Sequence, residues 1–373
     1  MKTEDVKKLV EDDLEKLSSM PVPESLLYKK WIEVNDYNFS IKDKQRIYEL
    51  KRSLWRPDDP QDYMKLEPVV LIVDTAQQLQ TWNLLRLFIS TAPWSQNPGR
   101  NAKYIVQDNK TKDYLGVISL GSDFIAIGGR DKYIGWTIDN RLKDKMLNYL
   151  AMGSSIVPTQ PLGYSFVGGK LIALLVLSDT IENDWNRRYR KEKLAGITTT
   201  SLFGGFSQYN RLPYWRQCES SEGTIPIEPS EPVYNQIKEW MEENYPGKIK
   251  ELSCGDENTV GIPTHPKNSI LTFAFKHLKV KTRENKAPRG VYYAPLYENT
   301  NDFLAKKTKD LGKKKFDNSV ISLTNIWKER FAKNRISNIL KDGRYSIDIL
   351  FYDDLIGMSW EKAKEKYIQD VGR

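Results

Sequence analysis

A strand that passes through a glycine-bearing turn into an apolar helix limits what this chain can become more than any other feature. The segment is SSIVPTQPLGYSFVGGKLIALLVLS, residues 154–178. Its start reads as a strand, and its end reads as an apolar helix of the kind that lies against a sheet. Strand-like runs stand before and after it. EPVVLIVDT (67–75) is a buried strand, and KYIVQD (103–108) and YLGVISL (114–120) form a hairpin across the polar turn NKTKD. FIAIGG (124–129), YIGW (133–136), the stretch 197–202, GTIPIEP (223–229), GVYYAPLY (290–297) and SIDILFY (346–352) are short and strand-like. Helical patterns cover 2–18, 24–34, 40–55, 77–90, 140–150, 179–193 and EPVYNQIKEWMEEN (231–244). The class is therefore α/β with a mixed sheet. Residues 1–60 form a helical region, 61–246 a core, and 247–373 a basic α+β extension.

The turn is where chemistry is expected. Its spacing is Gln160-x-x-Gly163-x-Ser165. Small residues before a helix expose backbone N–H groups at the positive end of the helix dipole, an arrangement that suits a pyrophosphate. Gly168, Gly169 and Lys170 follow and nearly complete a nucleotide-hydrolysing P-loop. The lysine comes one place late, however, and Leu171 stands where the magnesium-binding hydroxyl belongs. Two glycines inside a helix cost about 1 kcal/mol each against alanine, so they call for close packing or close ligand approach.

GITTTSLFGGFSQYNRLPYW (196–215) raises the same question. Thr198, Thr199 and Ser201 are placed to line a pocket, Gly204-Gly205 breaks the strand, and Ser207 caps a short helix that Pro213 ends. Tyr209 and Tyr214 are candidate general acids, Asn210 a polarising donor, and Arg211 a substrate contact. In GGRDKYIGW (128–136), Arg130 and Asp131 either brace a turn or present Arg130 to a phosphate or carboxylate, with Trp136 beside them. Glu182, Asp184 and Glu219 lie in polar runs and are expected to face solvent.

Charge narrows the partner. Residues 276–341 hold seventeen Lys and Arg against six Asp and Glu, with Tyr292, Tyr293, Tyr297, Phe316, Trp327 and Phe331 among them. Cations interleaved with aromatic rings form the footprint of a nucleic-acid surface, and DNA is the expected partner. His265 and His277 are the only histidines, and Cys218 and Cys254 the only cysteines. Histidine triads, zinc clusters and disulfide frameworks are thereby disfavoured, and no metal site is expected. No apolar run spans a membrane and the charged N-terminus has no signal core, so a cytoplasmic protein is expected.

YLGVISLGSDF, GGRDKYIGW, the 154–175 segment, the 196–215 segment and RGVYYAPLYENTNDFL together resemble the DruA-like domain family, over roughly residues 60–305. That family includes a subunit of Druantia antiphage systems and relatives in bacteriophages and mobile elements. The order of strand, Gln-x-x-Gly-x-Ser turn, helix, strand and tyrosine-bearing helix also resembles the GNAT acyltransferase fold, whose signature is Gln/Arg-x-x-Gly-x-Gly/Ala. Ser165 stands where that signature has Gly or Ala. The resemblance implies an acyl-CoA-like, pyrophosphate-containing donor on 160–165 and a general-acid tyrosine at Tyr209 or Tyr214. A phage branch of the same fold, the Mom-type proteins, modifies adenine in DNA. The activity so implied is transfer of a small group to a DNA base, with Trp136, Tyr209 and Tyr214 lining the pocket. The alternative is a related shell that binds DNA without chemistry.

Overall fold

The computed structural model describes residues 2–36, 40–90, 99–201, 207–221, 224–253, 266–286, 289–347 and 352–371. Three helices come first: α1 (Thr3–Ser19), α2 (Val22–Asp36) and α3 (Ile41–Arg52). A reciprocal capping box between Ser40 and Asp43 starts α3. There follow β1 (Pro68–Ile72), α4 (Ala76–Ile89), β2 (Asn101–Asp108), β3 (Tyr114–Ser122), α5 (Gly128–Ile134), α6 (Ile138–Leu142) and β4 (Leu150–Pro158). The single turn α7 (Leu162–Ser165) leads into α8 (Gly168–Leu175), α9 (Asp179–Arg188), β5 (Gly196–Ser201), β6 (Arg216–Ser221) and β7 (Thr224–Pro226). The remaining elements are α10 (Glu231–Asn244), α11 (Lys248–Ser253), α12 (Pro266–Leu278), β8 (Glu284–Lys286), β9 (Arg289–Pro295), α13 (Thr300–Leu304), α14 (Val320–Trp327), α15 (Lys333–Lys341) and α16 (Trp360–Val371).

The described residues form a seven-stranded mixed sheet in the order β1-β2-β3-β4-β5-β9-β6, with β7 and β8 paired apart from it. Within the seven, neighbours run antiparallel except β4 and β5. That parallel ladder is short, joining Leu150–Met152 to Gly196–Thr198. Both strands then continue unpaired with each other, and the backbone carbonyls they leave open need other donors.

Alternation along the strands places a layer on each face of the sheet. Tyr104, Val106, Ile118 and Leu120 are buried in a core with Leu171–Leu175 of α8, Val176 and Leu177 just after it, and Leu323 and Trp327 of α14. Ile105 and Val117, on the other face, pack with Trp82, Leu85 and Phe88 of α4. Residues 171–177 are almost wholly buried because α8 is covered by the sheet on one side and by α14 on the other. This is why the segment carries no polar face. A separate core joins Val6, Val10 and Leu14 of α1 to Ile237, Trp240 and Met241 of α10 and Ala274 of α12.

The sequence expectation needs correction at several places. Residues 124–129 and 133–136 do not form strands; α5 lies there, closed by Gly135 in the left-handed conformation (φ 75°). Asp131, which fits neither strand, accepts from the Ile127 amide and stabilises the helix start. The expected helix 140–150 is broken into α6 and a short 3-10 turn at Met146–Tyr149, and Leu150 already belongs to β4. Gly204-Gly205, His265, Cys254 and most of the expected strand 346–352 lie outside the described residues. No helix among the described residues is long and apolar enough to cross a membrane.

Candidate nucleic-acid interface

The turn between β4 and α8 is closed on itself. The Gly163 amide donates to Thr159 O at 2.8 Å, Ser165 N to Pro161 O at 3.0 Å and Phe166 N to Leu162 O at 3.2 Å. The Tyr164 amide donates to the Gln160 side chain at 2.9 Å, and the Ser165 hydroxyl donates to Ser346 O at 2.6 Å. The Gly163, Tyr164 and Ser165 amides, expected to help cradle a pyrophosphate, are thus already engaged within the chain. The glycines that follow are used for packing: a Cβ on Gly168 would meet Leu162, and one on Gly169 would lie 2.4 Å from the Gln208 side chain. Lys170 turns away from α8 and donates to the carbonyls of Gln208 and Asn210. Burial, with Arg211 nearby, holds its ammonium down to about 8.

Gln208 therefore belongs to the gap between β4 and β5. Its amide donates to Ile156 O at 2.9 Å, and Thr199 donates to Gly153 O at 2.9 Å. Thr198 is buried against the Ala151 carbonyl, and Ser201 is buried too. The Thr198 and Thr199 hydroxyls, expected to line a pocket, instead donate to carbonyls of β4 where the parallel ladder stops. Tyr209 is buried between Trp215 and Tyr292, with ring centroids 4.9 and 5.1 Å away. Its hydroxyl accepts from Gln208 at 3.1 Å, and burial pushes it up to about 12. Asn210 accepts from the Tyr292 hydroxyl at 2.7 Å.

Arg130, Asp131 and Trp136 hold one another. Arg130 is fully buried, 2.8 Å from Asp123 and 2.7 Å from Asp131. Asp131 also accepts from Trp136 Nε1 at 2.9 Å and from Arg141. The expectation that Glu182 and Asp184 face solvent is overturned, since both are buried. Glu182 accepts from the Tyr297 hydroxyl, Lys314 and Asn318, tying α9 to the chain beyond β9. Asp184 accepts from the Tyr104 hydroxyl at 3.0 Å and from Arg187 and Arg188. A sequence signal existed: Ile181 and Trp185, four apart, mark one face of α9 as buried, and the two acids flank it. Glu219, by contrast, is exposed as expected.

The second turn carries a surface of another kind. Ser207 accepts from the Tyr209 amide at 3.2 Å, and Arg211 is held left-handed (φ 64°) with its side chain exposed. Beyond Pro213, the ring of Tyr214 stacks on Phe316, with centroids 3.7 Å apart and planes 8° off parallel. Phe316 is presented by the run 313–315, which lies along the exit of β9 through Lys315 N to Leu296 O and Glu298 N to Lys313 O. Burial raises the Tyr214 hydroxyl and Arg330 opposes that, while burial and then Arg216 lower Lys315. Phe331 sits between Lys170 and Arg330, whose charged groups lie 5.1 and 5.9 Å from its ring. Arg211, Arg216, Lys315 and Arg330 are exposed, and among the described residues none of them forms an ion pair. Asp317 is the acid close to the stacked rings, and its carboxylate accepts from Ser319 N at 2.9 Å. Residues 328–332 form a π-type turn joining α14 to α15, a distortion often found at functional surfaces. Two features separate in the sequence, the 207–216 turn and the basic segment, thus meet at one corner.

The family model described as Druantia protein DruA matches residues 38–306. A curated Druantia protein DruA from Escherichia coli (strain UMEA 4076-1) is 31% identical over 163 residues, which cover 40% of this chain and 39% of that protein. The chain thus aligns with well under half the length of that relative. No solved structure matches.

Proposed function

This chain belongs to the Druantia DruA family, and on that premise we propose that it is a DNA-binding protein of antiphage defence that contacts DNA through the corner of Arg211, Tyr214, Arg216, Lys315, Phe316 and Arg330. The observation that carries this reading is the gathering of four exposed cations with no carboxylate partner among the described residues around two partly exposed, stacked rings. Unneutralised cations are what phosphates select, because binding releases the counterions condensed on the polymer. A surface of solvated lysines without this role would gain little from leaving them unpaired beside one another.

The reading is tested by fluorescence anisotropy with labelled DNA across a salt series. Binding should weaken steeply with salt, and Arg211→Ala with Arg330→Ala should flatten the log–log slope by roughly 0.7–0.9 per lost phosphate contact. Absence of binding at low salt, or a slope untouched by both substitutions, would refute it.

One observation favours a transferase as a second reading. The sheet contains a single parallel pair that opens after three residues, with the turn and α8 directly beyond β4, and this supports the resemblance to GNAT enzymes. Such an enzyme would hold an acyl-CoA-like donor on the 160–170 segment with Tyr209 as acid. The engaged amides of 163–166 and the burial of Tyr209 argue for the binding protein instead. Isothermal titration with acetyl-CoA, and mass spectrometry of nucleosides from cells expressing the protein, should both be blank.

A further inference from the structure

We infer that the DNA taken by this corner is single-stranded, with an unstacked base covering the Tyr214–Phe316 pair. The inference rests on the DNA-binding reading above and adds the form of the polymer. In a duplex both faces of each base are covered by neighbours, so a flat ring has nothing to stack upon, whereas a single strand offers a π-face at every nucleotide. Tyr214 and Phe316 are only partly buried and already lie parallel at stacking distance. Their planes are fixed from below by the apolar core they pack against. Phe331 adds a third partly buried ring, with Arg330 and Lys170 on it. The cations lie near enough to act on one another and on the rings: Arg330 on Tyr214, Arg216 on Lys315, and Arg211 on Lys170. Flat rings among cations are what tracking a flexible backbone requires, and base stacking of this kind tolerates any sequence. Duplex contact through phosphates alone would need the cations and give the paired rings no task.

The experiment compares a labelled oligothymidine with a blunt duplex of equal length, using the full chain. Wild type should prefer the single strand. Phe316→Leu keeps an apolar side chain over the core but removes the flat ring, and it should weaken single-strand binding roughly five- to hundred-fold and duplex binding by a much smaller factor. Tyr214→Trp should retain binding, and unchanged thermal melting would show that both variants fold. Equal or tighter binding of the duplex, or a Phe316→Leu protein that binds oligothymidine as wild type does, overturns the inference and leaves DNA binding intact. Binding of neither polymer overturns the DNA reading itself.

Discussion

Two corners of the sheet place arginine beside aromatic rings and use the pairing in opposite ways. At the α5 corner, Arg130 lies 5.3 Å from the Trp136 ring, fully buried, with Asp123 and Asp131 on its guanidinium. At the 207–216 corner, Arg211, Arg216 and Arg330 surround Tyr214 and Phe316 in the open, with no ion pair among the described residues. The difference lies in the carboxylates. An arginine supplied with two acids during folding is a brace, because a buried guanidinium must be neutralised and hydrogen-bonded. An arginine left without them keeps its charge for an incoming anion. A sequence motif of arginine, glycine and aromatic residues cannot separate the cases, since the second acid that completes the brace comes from outside it: Asp123 follows β3, seven residues before Arg130.

The sharpest way to break this contrast is Arg130→Met set against Arg211→Met. Removing Arg130 strands Asp123 in the interior and should lower stability by about 3–5 kcal/mol, read as a fall in the urea midpoint. Arg211→Met should stay within about 0.5 kcal/mol of wild type. If both variants unfolded at the wild-type midpoint, Arg130 would not be a brace and its assignment to a ligand would return.

A smaller effect separates two neighbours in one basic run. Lys314 is paired with buried Glu182, whereas Lys315 is exposed beside Arg216. Glu182→Gln keeps the shape and some hydrogen bonding but removes the charge that Lys314 and the Tyr297 hydroxyl face. It should cost about 1.5–3 kcal/mol, the range for hydrogen bonds to charged groups. Lys315→Ala should not change stability measurably but should weaken DNA binding. A Glu182→Gln protein as stable as wild type would make the α9 tie dispensable, and Lys314 and Lys315 would then be equivalent.

These cases also show how far the sequence could be read. The hairpin, the strand into α8 and the mixed α/β class were legible because their period and turn chemistry are local: Asp108 caps its own turn by accepting from the amides of Lys110 and Thr111. α5 was not, because FIAIGG looks β-branched and apolar while Asp131 and Gly135, which lie beyond it, set a helix that starts at its last two residues. Of the open corner, Arg211 and Tyr214 were named in one stretch and Phe316 in another, while Arg216, Lys315 and Arg330 were not singled out. That they form one surface depends on β9 lying between β5 and β6 in the sheet. The expected pyrophosphate turn followed a spacing rule that counts amides. Whether an amide is already engaged depends on partners such as Thr159 and the Gln160 side chain, which the spacing does not record.

Lys170 stands on the boundary between a closed corner and an open one, and its proton gives the finest test. It is held to two carbonyls of the 207–216 turn, and burial sets it near about 8, against an ordinary lysine value of 10.5. Its folded value is lowered, so between those limits the unfolded chain keeps a proton that the folded chain has released. Stability therefore rises with pH through that window, while below about 8 the full cost of burying the charge remains. A neutral amine still has two N–H groups for the two carbonyls, so the turn stays latched as the charge leaves. Above about 10 the unfolded tyrosines ionise first, because Tyr209 and Tyr297 are pushed up to about 12 in the fold, and stability falls again. Lys30, also lowered to about 8, adds a similar slope, so Lys170 is isolated by difference. The urea midpoint of wild type relative to Lys170→Met should increase from about pH 7.5 to about pH 9.5. DNA affinity should decline over the same interval, because a cation beside Arg211 is being lost. A constant midpoint difference would mean that Lys170 keeps its proton, and the turn would then belong to the open, solvated corner rather than to its closed edge.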